Sequence, residues 1–129
     1  TGKLVSEAMG VPFEGAPGLE EHDRGNVPVM PTKEFISSIA LFFKKRDELV
    51  LGKETAAVAL DRITRAIDTV QQRHAERNIA VVTHGTVLAL FEASHTDADP
   101  FLIWRRMGLP SFVVFETPGM TRVGGVDRV

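Results

Sequence analysis

The sequence predicts an α/β layered domain, and three observations predict it: a long amphipathic segment from Glu54 to Arg77, a continuous apolar run directly after it at Ile79-Ala-Val-Val-Thr83, and an order in which helices and strands alternate. Taken in order, Leu4, Val5 and Ala8 follow helical spacing and Gly10 supplies a stop, so residues up to about Met9 read as the last turns of a helix with no start signal. Val11-Pro-Phe-Glu14 is extended, and Gly15 to Pro31, rich in Gly, Pro, Asp and Asn, is a long loop of the kind that often carries function. Thr32 can cap a helix through about Asp47, with Phe35, Ile39, Phe42 and Phe43 on one stripe and Lys44-Lys-Arg46 at the end that favours cations.

The Glu54–Arg77 segment puts Ala59, Ile63, Ala66, Ile67 and Val70 on one face and pairs Asp61 with Arg65 on another, which is a helix. Asn78 ends it. The run Ile79 to Thr83 then reads as a strand buried on both faces, as in parallel sheets. Thr86 to about Ala93 is helical, and Asp99 caps another helix through about Met107, with Phe101, Trp104 and Met107 as its apolar stripe. Ser111 to Glu116 alternates as a strand, and Pro118-Gly119 turns the chain into a last strand near Thr121 to Val126.

Composition narrows the function classes. The chain has 129 residues, 43% apolar and 25% charged, which suits one domain over residues 1–129 with one core. There is no Cys, so disulfides, Cys-based zinc sites and thiol nucleophiles are excluded together; this leaves the redox compartment undetermined, and a cytoplasmic location, where no disulfides are needed, is the expectation. Lys plus Arg number 15 against 17 Asp plus Glu, a net charge of −2 without long runs of either sign, so neither nucleic acid nor an acidic membrane surface is an expected partner. No apolar stretch is long enough for a membrane span, and the first residues lack the apolar core of a signal peptide.

The chemistry concentrates in two places. In Val81-Val-Thr-His-Gly-Thr86 a strand ends in a polar turn and a helix begins at once, the position where α/β folds bind anions on free backbone N–H groups. His84 lies there, Gly85 lets the backbone approach closely, and Thr86 adds a hydroxyl and an N–H; alternatively His84 merely caps a loop. The second place is Leu19-Glu-Glu-His-Asp-Arg-Gly25. A carboxyl held near phosphate oxygens keeps its proton more tightly and can donate it to a leaving group, whereas composition alone favours a solvated charged loop. No pair of His has metal-ligand spacing on one face, so no metal is expected; no cofactor is expected either.

Several segments together resemble the histidine phosphatase superfamily, also called the phosphoglycerate mutase-like family. They are Thr1-Gly-Lys-Leu-Val-Ser-Glu-Ala-Met-Gly-Val-Pro12, the Leu19–Gly25 loop, Gly52-Lys-Glu-Thr55 with the long helix after it, Asn78-Ile-Ala-Val-Val-Thr-His-Gly-Thr-Val-Leu-Ala-Leu-Phe91, and Gly108-Leu-Pro-Ser-Phe-Val-Val-Phe115. The resemblance implies a three-layer αβα sandwich with a mostly parallel sheet. It also implies phosphomonoester hydrolysis, or mutase action, on a small phosphorylated substrate through a phosphohistidine. The family's second active-site His falls on His84, its Gly on Gly85 and the following amide on Thr86, which would stabilise the phosphoryl oxygens. Its acid/base Glu falls on Glu21 rather than Glu20, two positions after Leu19 and four before Gly25 as the family pattern has it.

The family's Arg-His-Gly segment, with its nucleophilic His and a phosphate-binding Arg, has no match here. Arg73-His-Ala-Glu76 is a near match that follows a helical repeat and reads as a helix terminus. The expectation is therefore an N-terminally incomplete domain without its first strand, nucleophile loop and start of first helix. These 129 residues alone are then expected to be inactive, and a strand from another chain, as in a homo-oligomer, would be needed to pair Ile79–Thr83. The alternative is a non-catalytic phosphate- or protein-binding module, with Arg24, Arg105 and Arg106 serving charged ligands. His22 could line the pocket mouth, and His95 is expected to meet solvent.

Overall fold

The computed structural model describes residues 1–129. Its helices are α1 (Gly2–Met9), α2 (Thr32–Lys44), α3 (Ala56–Arg73), α4 (Gly85–Ser94) and α5 (Pro100–Arg106), and its strands are β1 (Phe112–Glu116) and β2 (Thr121–Val126). Helix α4 is the hub, packing on α3 and α5, while α2 packs on α5. Side chains from four helices meet in one core: Ile39, Phe42 and Phe43 of α2, Ala59, Ile63 and Ile67 of α3, Val87, Leu90 and Phe91 of α4, and Ile103 of α5. Burying each of the larger of these stabilises the fold by roughly 1.5–3 kcal/mol.

The Gly10 stop and the Asp99 cap act where expected, and α3 starts from a cap at Thr55 that the sequence reading does not single out. Gly10 ends α1 in the left-handed region at φ 65°. Thr55 caps α3 by accepting the Val58 N–H, and Asp99 caps α5 by accepting that of Leu102. Thr32, in contrast, is already helical and caps nothing; Pro31 holds the cap position with the fixed φ that suits a helix start. Helix α3 stops at Arg73, short of Arg77. No helix is long and apolar enough to cross a membrane.

The sheet departs from expectation. Its two strands, β1 and β2, form an antiparallel hairpin with Phe112 opposite Val126 and a register shift between Val114 and Phe115. Ile79–Thr83 is not a ladder strand, and the mostly parallel sheet it was expected to join is not formed by these residues. It makes no backbone-to-backbone hydrogen bonds; its one anchor is the Thr83 hydroxyl, which donates to the Leu19 carbonyl at 2.7 Å. Nor is it buried on both faces, since Ile79 and Val82 are 38% and 41% exposed. A strand exists only by pairing, and β-branched composition supplies the preference for extended backbone without the neighbour.

Candidate functional site

The N-terminus of α4 is where the structure gathers polar groups. His84 is its cap residue, extended at φ −122° and ψ 160°, with no side-chain cap bond and an exposed side chain. The first N–H groups of a helix have no partner within it and carry the positive end of its dipole. Here a carboxylate meets them. Glu21 accepts the Thr86 N–H on Oε2 at 3.2 Å and the Val87 N–H on Oε1 at 3.3 Å, across 65 and 66 residues of sequence. Oε1 also accepts the His22 N–H at 2.9 Å, and Arg24 stands 3.4 Å from Oε2 with its guanidinium over the Phe35 ring.

Glu21, His84, Gly85 and Thr86 thus converge on one helix end, although Thr86 contributes differently than expected. Its side chain is fully buried and its Oγ1 meets no protein partner, so it faces the core, and only its N–H reaches the site. A Cβ on Gly85 would meet Met107 Sδ at 3.6 Å, an ordinary contact, so packing against α5 does not demand glycine there.

The loop that carries Glu21 is held by groups that composition did not point to. The Arg62 guanidinium donates to the carbonyls of Gly18, Glu20 and Glu21 at 3.0, 2.9 and 3.4 Å, and forks onto the Glu54 carboxylate at 2.6 and 3.2 Å. Glu54 in turn accepts the Asp23 N–H at 3.2 Å. Burial works against the Glu54 anion, but the Arg62 and Asp23 N–H bonds outweigh it and hold its carboxyl below the ordinary range. Glu54 and Arg62 lie eight residues apart, about two helical turns, which is the one signal in the sequence that relates them.

His22 does not line a pocket mouth. It is 2% exposed, its ring lies 4.2 Å from that of Phe42, and its Nε2 is 3.3 Å from the Glu54 carbonyl oxygen. Burial pushes its pKa below 6.5, against the pull of that carbonyl. Gly52 makes room for this: at φ 77° it sits where a Cβ would collide with the Asp23 carbonyl oxygen and approach His22 Nε2 to 2.9 Å.

The remaining candidates lie elsewhere. Arg73 and His74, at the end of α3, both pair with Glu14. His95 caps α4 at its C-terminus and, instead of meeting solvent freely, packs between Phe91 and Phe115 at 4.5 and 5.8 Å. Arg106 is committed to Glu92 and Asp127 at 3.0 and 3.2 Å. Glu92, 4% exposed and bonded also to Arg122 at 2.7 Å, ties α4 to α5 and β2; nothing in the sequence marked it. No group of three or more His, Cys, Asp or Glu is gathered so as to hold a metal ion.

The N-terminus of α4 thus brings together a cap histidine and helix amides that already donate to an anionic partner, the Glu21 carboxylate. The chain belongs to the histidine phosphatase superfamily (branch 1), whose family model matches residues 1–120. Membership supports a function of the phosphatase and mutase type. No curated protein and no solved structure matches the chain significantly.

Proposed function

We propose that this chain contributes to a phosphomonoester hydrolase site, with His84 stabilising the transferring phosphoryl group and Glu21 acting as general acid/base. The observation that supports it most is the reach of Glu21 onto the amides of the helix that His84 begins. Those amides, with Gly85 ahead of them, are the donors that phosphoryl oxygens would use. An incoming phosphate monoester takes over the Thr86 N–H, and the displaced Glu21 carboxylate, which takes up a proton from water as the phosphate's negative charge comes beside it, is placed to give that proton to the leaving alkoxide. Arg24 is close enough to Glu21 to follow it or to meet the phosphate. Attack on phosphorus falls to the family's nucleophilic His; Arg73-His74, at the C-terminal end of α3 beside Glu14, is a helix terminus. Hydrolysis is favoured over mutase action because nothing here protects a phosphoenzyme from water. The three-layer αβα sandwich goes with this reading, Ile79–Thr83 becoming a sheet strand once a neighbour pairs with it.

The test is turnover of an aryl phosphate by the protein as its gene encodes it. His84→Ala should lower kcat by about 10²–10³, the size usual for losing one oxyanion donor. Unchanged turnover contradicts the role of His84. Phosphate binding without turnover in the unaltered protein points instead to the non-catalytic module.

A further inference from the structure

Glu21 sits in the middle of a loop with no secondary structure, yet a general acid must be held to within a fraction of an ångström. The loop's own residues do not explain how. Glu20 turns back to accept the Gly18 N–H at 2.8 Å, and Asp23 accepts that of Gly25 at 3.0 Å, which shapes the two ends; at the centre the Glu21 carboxylate meets the His22 N–H and Arg24, but no group of the loop holds the Glu20 and Glu21 carbonyls.

We infer that Arg62 and Glu54 form a positioning pair for Glu21, fixing the peptide units on either side of it so that its carboxyl can work at the α4 N-terminus. On the N-terminal side, Arg62 Nη1 holds the carbonyls of Gly18 and Glu20. At Glu21 itself, Nη2 reaches the carbonyl, while on the C-terminal side Glu54 Oε1 takes the Asp23 N–H. The two side chains are locked to each other by the fork from Nε and Nη2 onto both carboxylate oxygens. Both stand on rigid ground: Glu54 precedes the Thr55 cap, and Arg62 lies on α3 beside the buried Ile63. Arg62 bonds Glu21 through the carbonyl only, while the carboxylate is paired with Arg24. A lysine at position 62 would bring the charge without the planar fork that spans these acceptors.

This inference rests on the reading of Glu21 as the general acid, and the test separates the two. The full-length protein is assayed for kcat/KM on 4-nitrophenyl phosphate, whose phenolate leaves without a proton, and on glycerol 2-phosphate, whose alkoxide needs one. Glu21→Gln should lower the alkyl ester by about 10²–10⁴ and the aryl ester far less, the usual range for general acid catalysis. Arg62→Met should reproduce that selective loss at smaller size, changing the aryl-to-alkyl ratio by about tenfold or more, with Arg62→Lys in between. Should Arg62→Met fail to fold, Glu54→Gln, which keeps the shape of the pair, decides by the same ratio. Equal losses on both esters in the Arg62 and Glu54 variants, with the ratio shifted only in Glu21→Gln, overturn the inference and leave the pair a plain structural staple. A ratio unchanged in Glu21→Gln itself overturns the reading of Glu21 and the inference with it.

Discussion

Two short segments, Leu19–Gly25 and Ile79–Thr83, meet at the foot of α4 and invert what their compositions suggest. The first is a run of charges that ordinarily lies in solvent; here it is bonded to Arg62, Glu54 and the α4 amides, and its His22 is buried. The second is an apolar, β-branched run that ordinarily lies inside a sheet; here its backbone pairs with no other backbone and Val82 stands 41% exposed. The difference teaches that order at this site comes from partners far away in sequence, and that polar groups acquire it as readily as apolar ones when their hydrogen bonds are met.

The comparison can be broken at its strongest support first. Phe42→Ala removes a fully buried ring that carries both the core and His22, and should cost about 3–5 kcal/mol in urea unfolding. A loss below about 1 kcal/mol would mean that the loop does not lean on α2 as described. Gly52→Ala comes next. Its positive φ and the collision with the Asp23 carbonyl should cost about 1–3 kcal/mol, and a neutral result would show the loop free to move away.

The third prediction is a pH dependence. His22 binds its proton less readily in the folded chain than at its ordinary 6.5, so the unfolded chain takes up the proton first as pH falls. Stability is therefore lost as pH drops through 6.5, and the loss is complete below the folded-state pKa. Glu54, lowered from 4.5, contributes stability that fades only at more acid pH, so unfolding at about pH 7.5 and 5.5 isolates the histidine. In His22→Gln the difference between the two pH values should disappear; if it persists, His22 is not the buried group responsible. The smallest effect belongs to the other segment. In residues 1–129 by themselves, Val82→Ser should change stability by no more than about 0.5 kcal/mol, as at an ordinary surface position. A loss several times larger would mean that Ile79–Thr83 is paired and buried in solution after all, which would restore the expected sheet.

Much of the helical frame was legible. The stripe of Ile39, Phe42 and Phe43, the Asp99 cap and the Gly10 stop are local features, and local physics decides them. The hairpin from Phe112 to Val126 was legible for the same reason, alternation around a Pro-Gly turn. Strand character at Ile79–Thr83 was not decidable locally, because the pairing that makes a strand is a property of two segments. At the site, Glu21 and His84 came from family resemblance, and the structure sets Glu21 on the helix that His84 caps. Arg62 escaped notice because a single Arg on the polar side of an amphipathic helix looks like any solvated charge until the Gly18–Glu21 carbonyls are seen around it. Glu92 escaped because it stands among apolar residues in α4, and its partners, Arg106 and Arg122, lie 14 and 30 residues away.

The central claim is that the N-terminus of α4 is the phosphate site and that Glu21 occupies it until phosphate arrives. Titration of the ¹³C,¹⁵N-labelled protein with inorganic phosphate, followed by NMR, tests it directly. The account predicts saturable shifts of the Gly85, Thr86 and Val87 amides together with the Glu21 carboxyl carbon. Saturable binding that leaves those signals still and moves residues elsewhere, such as Arg65 and Arg73 on the outer face of α3, would contradict it.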